Sequence, residues 1–300
     1  MQAPRRFSRP ATRRRAAGLL GTGLVALVLA GCGGSGTADT SASGATTGKG
    51  APAVATVPDG TLVTSGSLTF CADISAPPLT FYDPSQKPVG AEIELGDALA
   101  KSLGLSPVWK NTAFAGIIPA LQGKQCDAIL SQLFIKPERE KVVDFVPYMF
   151  SSGALMVKAD ADKGIAGLDT TCGHRVAAQT GTTVASFLQK ASETCTSQGK
   201  QKVDVRLFAK DSDALQQLSV GLVDAYGTTV ETAGYVMTQK PDVYKTVGEP
   251  YGQIKTGIAT VKGSTALHDA LGKALAAIHQ DGTYDSILKK WNLTDDALSS

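Results

Sequence analysis

Between Leu68 and Thr260 the chain alternates short apolar runs with stretches of helical period, and it does so in two rounds. In the first, Leu68–Ala72 reads as a strand. Ile93–Leu103 then sets Leu95, Leu99 and Leu103 on one helical face and stops at Gly104. Pro107–Lys110 is a second strand, Ile117–Gln122 a helix and Ala128–Leu133 a third strand. The second round gives a strand at Arg175–Gln179, a helix at Thr183–Ala191 and a strand at Val203–Phe208. A helix at Ser212–Val220 and a strand at Val223–Tyr226 complete it. Strands joined through helices run parallel with right-handed crossovers, so the pattern predicts two α/β lobes, each a mainly parallel sheet flanked by helices. Gly257–Thr260 adds a strand, and Ala266–Lys290 one or two helices punctuated by Gly282.

The N-terminus points outside the cytoplasm. Residues 1–31 hold six Arg and no acid, followed by an apolar run from Ala16 to Ala30, which is the pattern of a secretory signal. It ends Leu29-Ala30-Gly31-Cys32, which resembles the bacterial lipobox and implies lipidation of Cys32. Gly33–Pro58 is rich in Gly, Ser, Thr and Ala and carries only two charges, Asp39 and Lys49. Such a segment buries no core, and 26 residues of it reach roughly 25–30 Å as a flexible coil. The expected organisation is therefore a signal over residues 1–31 and a tether over 32–60. From Thr61 onward some 240 residues remain, enough for two domains.

Removing the six signal arginines from the chain's 29 Lys and Arg leaves 23, against 27 Asp and Glu, a net charge of −4. With no basic tract in the remainder, nucleic acid is not an expected partner. Four cysteines remain beside Cys32, in keeping with an oxidising compartment, and four allow three pairings. Cys172 precedes a strand and Cys195 follows the adjacent helix, so that pair closes a short loop and is preferred. Cys71–Cys126 would join neighbouring strands, but one cysteine sits late in its strand and the other early, which leaves this pair open. The three His (174, 268, 279) are scattered, so no metal site and no cofactor is expected.

Asp127–Tyr148 carries the site chemistry. A short strand ends at Ser131-Gln132, a loop follows, Pro137 suits the first turn of a helix, and Arg139 comes two residues later. Strand ends of α/β sheets are where small ligands dock, and a guanidinium there can fork onto a carboxylate. The stretch DAILSQLFIKPERE–VVDFVPY resembles the signature of the solute-binding proteins of amino-acid ABC importers, extracellular solute-binding family 3. In the same order, Gly90–Leu95 resembles the family's "GFDVDL", Ala98–Gly104 its "AIAKKLG" and Ile117–Leu121 its "LIPAL". Thr180–Thr183 resembles its "xGTT", and Asp281–Tyr284 with Trp291 its "DGTY…W".

The resemblance implies a two-lobed periplasmic-binding-protein (Venus flytrap) fold with two hinge crossings, near Ser152–Lys158 and Gln253–Thr260. Lobe 1 would then span 61–155, lobe 2 would span 156–255, and 256–300 would return to lobe 1. It implies a monomer, lipid-anchored on the outer face of the cytoplasmic membrane, which delivers a solute to the permease and ATPase of an ABC importer. It makes Arg139 a carboxylate clamp, with Ser131, Gln132 and Leu133 on the same edge. Thr180, Gly181, Thr182 and Thr183 stand at a helix N-terminus, where free N–H groups favour an anion. Phe114 takes the apolar contact, and Asp73 stands where some relatives meet a cationic ligand group.

Three departures qualify the substrate. The acid that holds the ligand's ammonium in the family falls on Thr229; the family's "YPPF" reads Ala76-Pro77-Pro78-Leu79; and Gln132 and Phe134 replace small hydroxyl residues. Glu231 is the nearest substitute charge, although an acid at a helix start commonly faces solvent. The expected ligand is a small carboxylate-bearing solute, an amino acid held atypically or an N-substituted or non-amino relative. Alternatives on the same fold are a binding protein for a chemoreceptor or sensor and a cyclohexadienyl-dehydratase-like enzyme. With only Asp73 and Glu231 as cleft acids and no nucleophile–base set, an enzyme is not expected.

Overall fold

The computed structural model describes residues 53–298. The export segment and Cys32 lie outside them. In chain order the elements begin with β1 (Ser67–Ala72), a small hairpin of β2 (Phe81–Tyr82) and β3 (Pro88–Val89), α1 (Ala91–Ser102) and β4 (Ser106–Asn111). Next come α2 (Ile117–Gln122), β5 (Ala128–Ile129), α3 (Pro137–Glu140) and the long β6 (Val143–Lys158). The second round is β7 (Arg175–Gln179), α4 (Thr183–Ser197), β8 (Asp204–Phe208), α5 (Asp211–Ser219), β9 (Ala225–Thr229) and α6 (Val230–Gln239). The long β10 (Tyr244–Val261), α7 (Thr265–Gln280) and α8 (Thr283–Lys290) finish the chain.

The strands lie in the order β4-β1-β5-β10-β6-β9-β7-β8. β1 pairs in parallel with β4 and β5, and β7 in parallel with β8 and β9, which are the two parallel sets the sequence predicts. β6 and β10 run antiparallel between them and pass from one lobe to the other. Their ladder is interrupted between Val247 and Tyr251, between Tyr251 and Ile254, and between Thr256 and Gly257. Such irregularities are where paired strands bend. The sequence pattern shows these two strands only as short crossings, because exposed polar residues interrupt β10 and because Pro147 and the buried Ser151-Ser152-Gly153 interrupt β6.

Each lobe buries both faces of its strands. In the first, Leu68 and Phe70 of β1 pack with Leu95 and Leu99 of α1 and with Leu271 and Ile278 of α7. Ile129 faces the other way, onto Ile117 and Leu121 of α2. In the second, Val176 and Ala178 of β7 meet Val184 and Leu188 of α4, while Ala177 between them meets Ala214 and Leu218 of α5. This is the period-two alternation of a strand covered on both sides. Ala55 and Val57, inside the segment read as a tether, also pack on the first lobe, and Val54 N–H donates to Ser102 O at 2.9 Å.

β5 is two residues long, where the sequence pattern extended the strand to Leu133. The chain leaves the sheet because Gln132 adopts a left-handed backbone (φ 45°) and gives its N–H to the Glu92 carboxylate at 2.6 Å. That departure lets the Gln132 side chain reach Glu231 of the other lobe, while Ser131 Oγ accepts from Asp73 N–H at 3.0 Å within its own lobe.

Both disulfides are formed. Cys172–Cys195 has a Cα separation of 5.6 Å and Cys71–Cys126 one of 5.7 Å. The open question over the second pair is answered by register. Cys71 pairs with Ile129 across β1 and β5, and Cys126 sits just before β5 begins, turned back toward β1. On the loop-entropy model, reducing the 23-residue Cys172–Cys195 link is expected to cost about 3.5 kcal/mol, and the 55-residue Cys71–Cys126 link about 4 kcal/mol. Urea unfolding of Cys→Ala pairs measures both; a loss below about 1 kcal/mol for either would mean that bridge constrains little.

Candidate functional site

The C-terminal ends of β1 and β5 in the first lobe face the C-terminal ends of β7 and β9 in the second. Between them lies a cavity of about 50 Å³, measured for the centre of a water-sized sphere. From the first lobe Asp73, Phe114, Ser131, Gln132 and Arg139 line it, and from the second Thr182, Thr183 and Thr229. These are the residues the sequence singled out.

Arg139 sits in α3, whose first residue is Pro137, and its guanidinium carbon lies 5.8 Å from the centre of the Phe114 ring. Its Nη1 donates to Phe134 O at 2.9 Å and its Nη2 reaches across the cleft to Gly181 O at 3.2 Å. Among the described residues it has no carboxylate partner, and burial lowers its pKa to about 10. Gly181 itself is required here: φ is +81°, and a Cβ would lie 3.0 Å from Ala115 Cα of the opposite lobe.

Asp73 ends β1. It accepts hydrogen bonds from Ser75 Oγ, from Phe114 N–H at 3.0 Å and from Gln179 Nε2 at 3.0 Å across the cleft. Burial raises its pKa, against the lowering effect of those bonds. Thr182 caps α4, accepting from Ala185 N–H at 3.1 Å. The Thr183 hydroxyl is buried with no partner among the described residues. Thr229 Oγ1 lies 3.4 Å from Gln132 Oε1.

Glu231 corrects the reading of a helix-start acid facing solvent. It is 5% exposed, and its Oε2 accepts from Gln132 Nε2 at 2.8 Å and Ser151 Oγ at 3.0 Å. Burial pushes its pKa up to about 7. It joins lobe to lobe beside the hinge but does not line the cavity. Three other predicted residues stand off it as well. Leu133 packs into the apolar cluster on α2, the Thr180 hydroxyl turns away to donate to Phe208 O at 3.1 Å, and Gly181 offers its carbonyl to Arg139.

Sequence reasoning missed Gln179 and Asp211, both of which line the cavity. Gln179 Nε2 is shared between Asp73 and Ala209 O. Asp211, at the first position of α5, resembles the acid that begins many helices. Only the fold turns it inward, where its carboxylate accepts from Tyr226 OH and burial raises its pKa to about 7.

Two lobes, each with a parallel sheet flanked by helices, joined by a pair of strands and closing on a cavity lined by charged and polar as well as apolar side chains, define the periplasmic-binding-protein class. A profile of the bacterial extracellular solute-binding proteins, family 3, matches residues 68–294, and the chain belongs to that family. It is 30% identical over 227 residues to the L-cystine-binding protein TcyJ of Escherichia coli K12, covering 75% of this chain and 82% of that one. It is 31% identical over 231 residues to ABC transporter arginine-binding protein 1 of the same organism, covering 75% and 90%. Among solved structures, an ancestral arginine-binding protein bound to glutamine superposes with a TM-score of 0.71 at 36% identity, covering 77% of this chain and 99% of that one. Among the described residues no helix is long and apolar enough to cross a membrane.

Proposed function

We propose that the protein is an extracytoplasmic receptor for an amino acid, anchored through a lipidated Cys32, which hands its ligand to the permease and ATPase of an ABC importer. The observation that carries this reading is the pairing of unmet charges in one cavity. A half-buried Arg139 has no anion within ion-pair distance and a buried Asp73 no cation among the described residues, although both line the space between the lobes. Buried charge is costly unless it is paired, so the cavity is incomplete without a ligand that carries both signs. The ligand carboxylate would lie between Arg139 and the N-terminus of α4, where the unpartnered Thr183 hydroxyl supplies a further donor. Its cationic end would face Asp73.

Contacts between lobes explain how binding would close the cleft. Arg139 on Gly181 O, Gln179 on Asp73 and Gln132 on Glu231 each join a group of one lobe to a group of the other. A ligand held from both sides favours the closed state by its extra affinity for it. The proposed role is capture rather than turnover, and the protein acts as a single chain.

The test is a thermal-shift screen against amino acids, their amides and N-acetyl derivatives, and simple carboxylates. An amino acid at about a hundred times its Kd is expected to add roughly 2.7 kcal/mol, seen as a raised Tm. Stabilisation by carboxylates that lack a cationic group, with none from amino acids, would overturn the reading. Conversion of a cyclic dienyl acid by the purified protein would move it to the enzymes.

A further inference from the structure

We propose that Asp211, with Asp73 from the opposite lobe, forms a two-carboxylate clamp for a cationic side-chain group, so that the preferred ligand is an amino acid of net charge +1. This rests on the amino-acid reading above and names the class of amino acid.

The clamp is built from both sides of the cleft. Ser75 Oγ donates to Asp73 and accepts from the backbone N–H of Asp211 at 3.1 Å, so one hydroxyl ties the two acidic residues together. Asp211 is 7% exposed and Asp73 is 5% exposed, and both line the cavity. Among the described residues neither has a Lys, Arg or His within ion-pair distance in the cavity. The Asp211 carboxylate is steered inward by Tyr226 OH, whose oxygen also lies 2.9 Å from Thr228 Oγ1. An acid at the first position of α5 would serve the helix equally well pointing into solvent. Here a buried tyrosine holds it toward the cavity instead.

Charge decides the ligand. Of the groups that line the cavity Arg139 supplies one cation, and Asp73 and Asp211 supply two anions once a bound cation favours ionisation of Asp211; Lys210, outside the lining, acts on Asp73 only from a distance. A neutral zwitterion leaves one anion unmet, whereas a ligand with one carboxylate and two cationic groups leaves none. Burial first, and repulsion from Asp73 after it, raises Asp211, and a cation between the two acids removes that repulsion. A planar guanidinium suits the place because its fork can donate to two carboxylates at once. Thr229, which bears no charge, leaves Asp211 as the second lobe's carboxylate at the cavity.

Calorimetric titration with arginine and with citrulline tests this, since citrulline replaces the guanidinium by a neutral group of similar shape. The protein is expected to bind arginine about 100-fold more tightly than citrulline, given that charged hydrogen bonds contribute roughly 1.5–3 kcal/mol each. Asp211→Asn keeps an acceptor for Tyr226, and it is expected to cut arginine affinity at least 10-fold while leaving citrulline affinity nearly unchanged. Equal binding of the two ligands by the unmodified protein, or an unchanged ratio in a folded Asp211→Asn variant, would overturn the clamp. The two readings fail separately. If neutral amino acids bind through Arg139 and arginine gains nothing over citrulline, only the clamp is wrong. If no amino acid binds and Arg139→Ala changes nothing, the amino-acid reading itself falls.

Discussion

Glu92→Gln is expected to leave the unfolding free energy within about 1 kcal/mol of the unmodified protein at pH 5, and to raise it by about 3 kcal/mol at pH 8. Glu92 lies in α1 and is 1% exposed. Its Oε1 accepts from Gln132 N–H and Tyr148 OH, while its Oε2 has no partner among the described residues. Burial outweighs those two bonds and pushes its pKa from 4.5 up to about 7. Below pH 4.5 the carboxyl is protonated both folded and unfolded, so it costs nothing. As pH rises from 4.5 to 7 the unfolded chain gives up its proton first and the folded state loses stability. Above 7 the full cost is present, about 3 kcal/mol for a shift of this size.

Gln has the same shape and no charge, so its stability curve lacks that fall. Urea titrations at the two pH values measure the difference. An equal effect at both would mean that Glu92 is ionised in the fold without penalty. Glu231 and Asp211 are raised in the same direction, so the unliganded protein is expected to be most stable in mild acid. Asp224 opposes them at the acid end. Burial would raise it, but hydrogen bonds from Arg175 and Lys163 hold it well below the usual carboxylate range. Its stabilisation is present above about 3.8 and is lost as pH falls further.

The fold and the site differ in what the linear pattern carries. Apolar spacing in α1 and β7 specifies which faces meet, because burial acts on side chains at fixed periods, and the two parallel sets follow from it. β6 and β10 escape that logic. Each crosses from the core of one lobe to that of the other: β10 has an exposed middle, and β6 is broken in sequence by Pro147 and by the buried Ser151-Ser152-Gly153, so both read as loop there. Arg139, Ser131 and Asp73 are legible because they stand at strand ends or in the helix that follows. Asp211 is not, nor is the burial of Glu231, since an acid in the first turn of a helix has the same local signature whether it faces water or the interior. What distinguishes them is a partner far along the chain: Ser75 for Asp211 and Gln132 for Glu231. The departure at Thr229 marked where a charge was missing, but not which residue stands nearest to replacing it.

Arg139→Ala is expected to weaken binding of the cognate amino acid by about 100-fold or more. Removing one partner of a desolvated charge pair typically costs 2–5 kcal/mol, and each 1.4 kcal/mol is a factor of ten. The loss has two possible origins, because Arg139 faces the cavity and also bridges the lobes through Phe134 O and Gly181 O. The amide of the same amino acid separates them. If the guanidinium pairs with the ligand carboxylate, the amide binds the unmodified protein about 100-fold more weakly than the acid, and Arg139→Ala lowers its affinity little further. If Arg139 acts only by holding the lobes together, acid and amide lose affinity equally in the variant, and the carboxylate assignment is wrong. Stability of the unliganded protein gives an independent reading. Burial lowers the Arg139 pKa to about 10 and the charge of nearby Glu138 opposes this only in part, so the free protein carries a poorly compensated cation. Removing it is therefore expected to leave the unliganded Tm unchanged or higher, even as ligand-induced stabilisation disappears. A residue whose loss abolishes binding without lowering intrinsic stability is placed there for the ligand rather than for the fold.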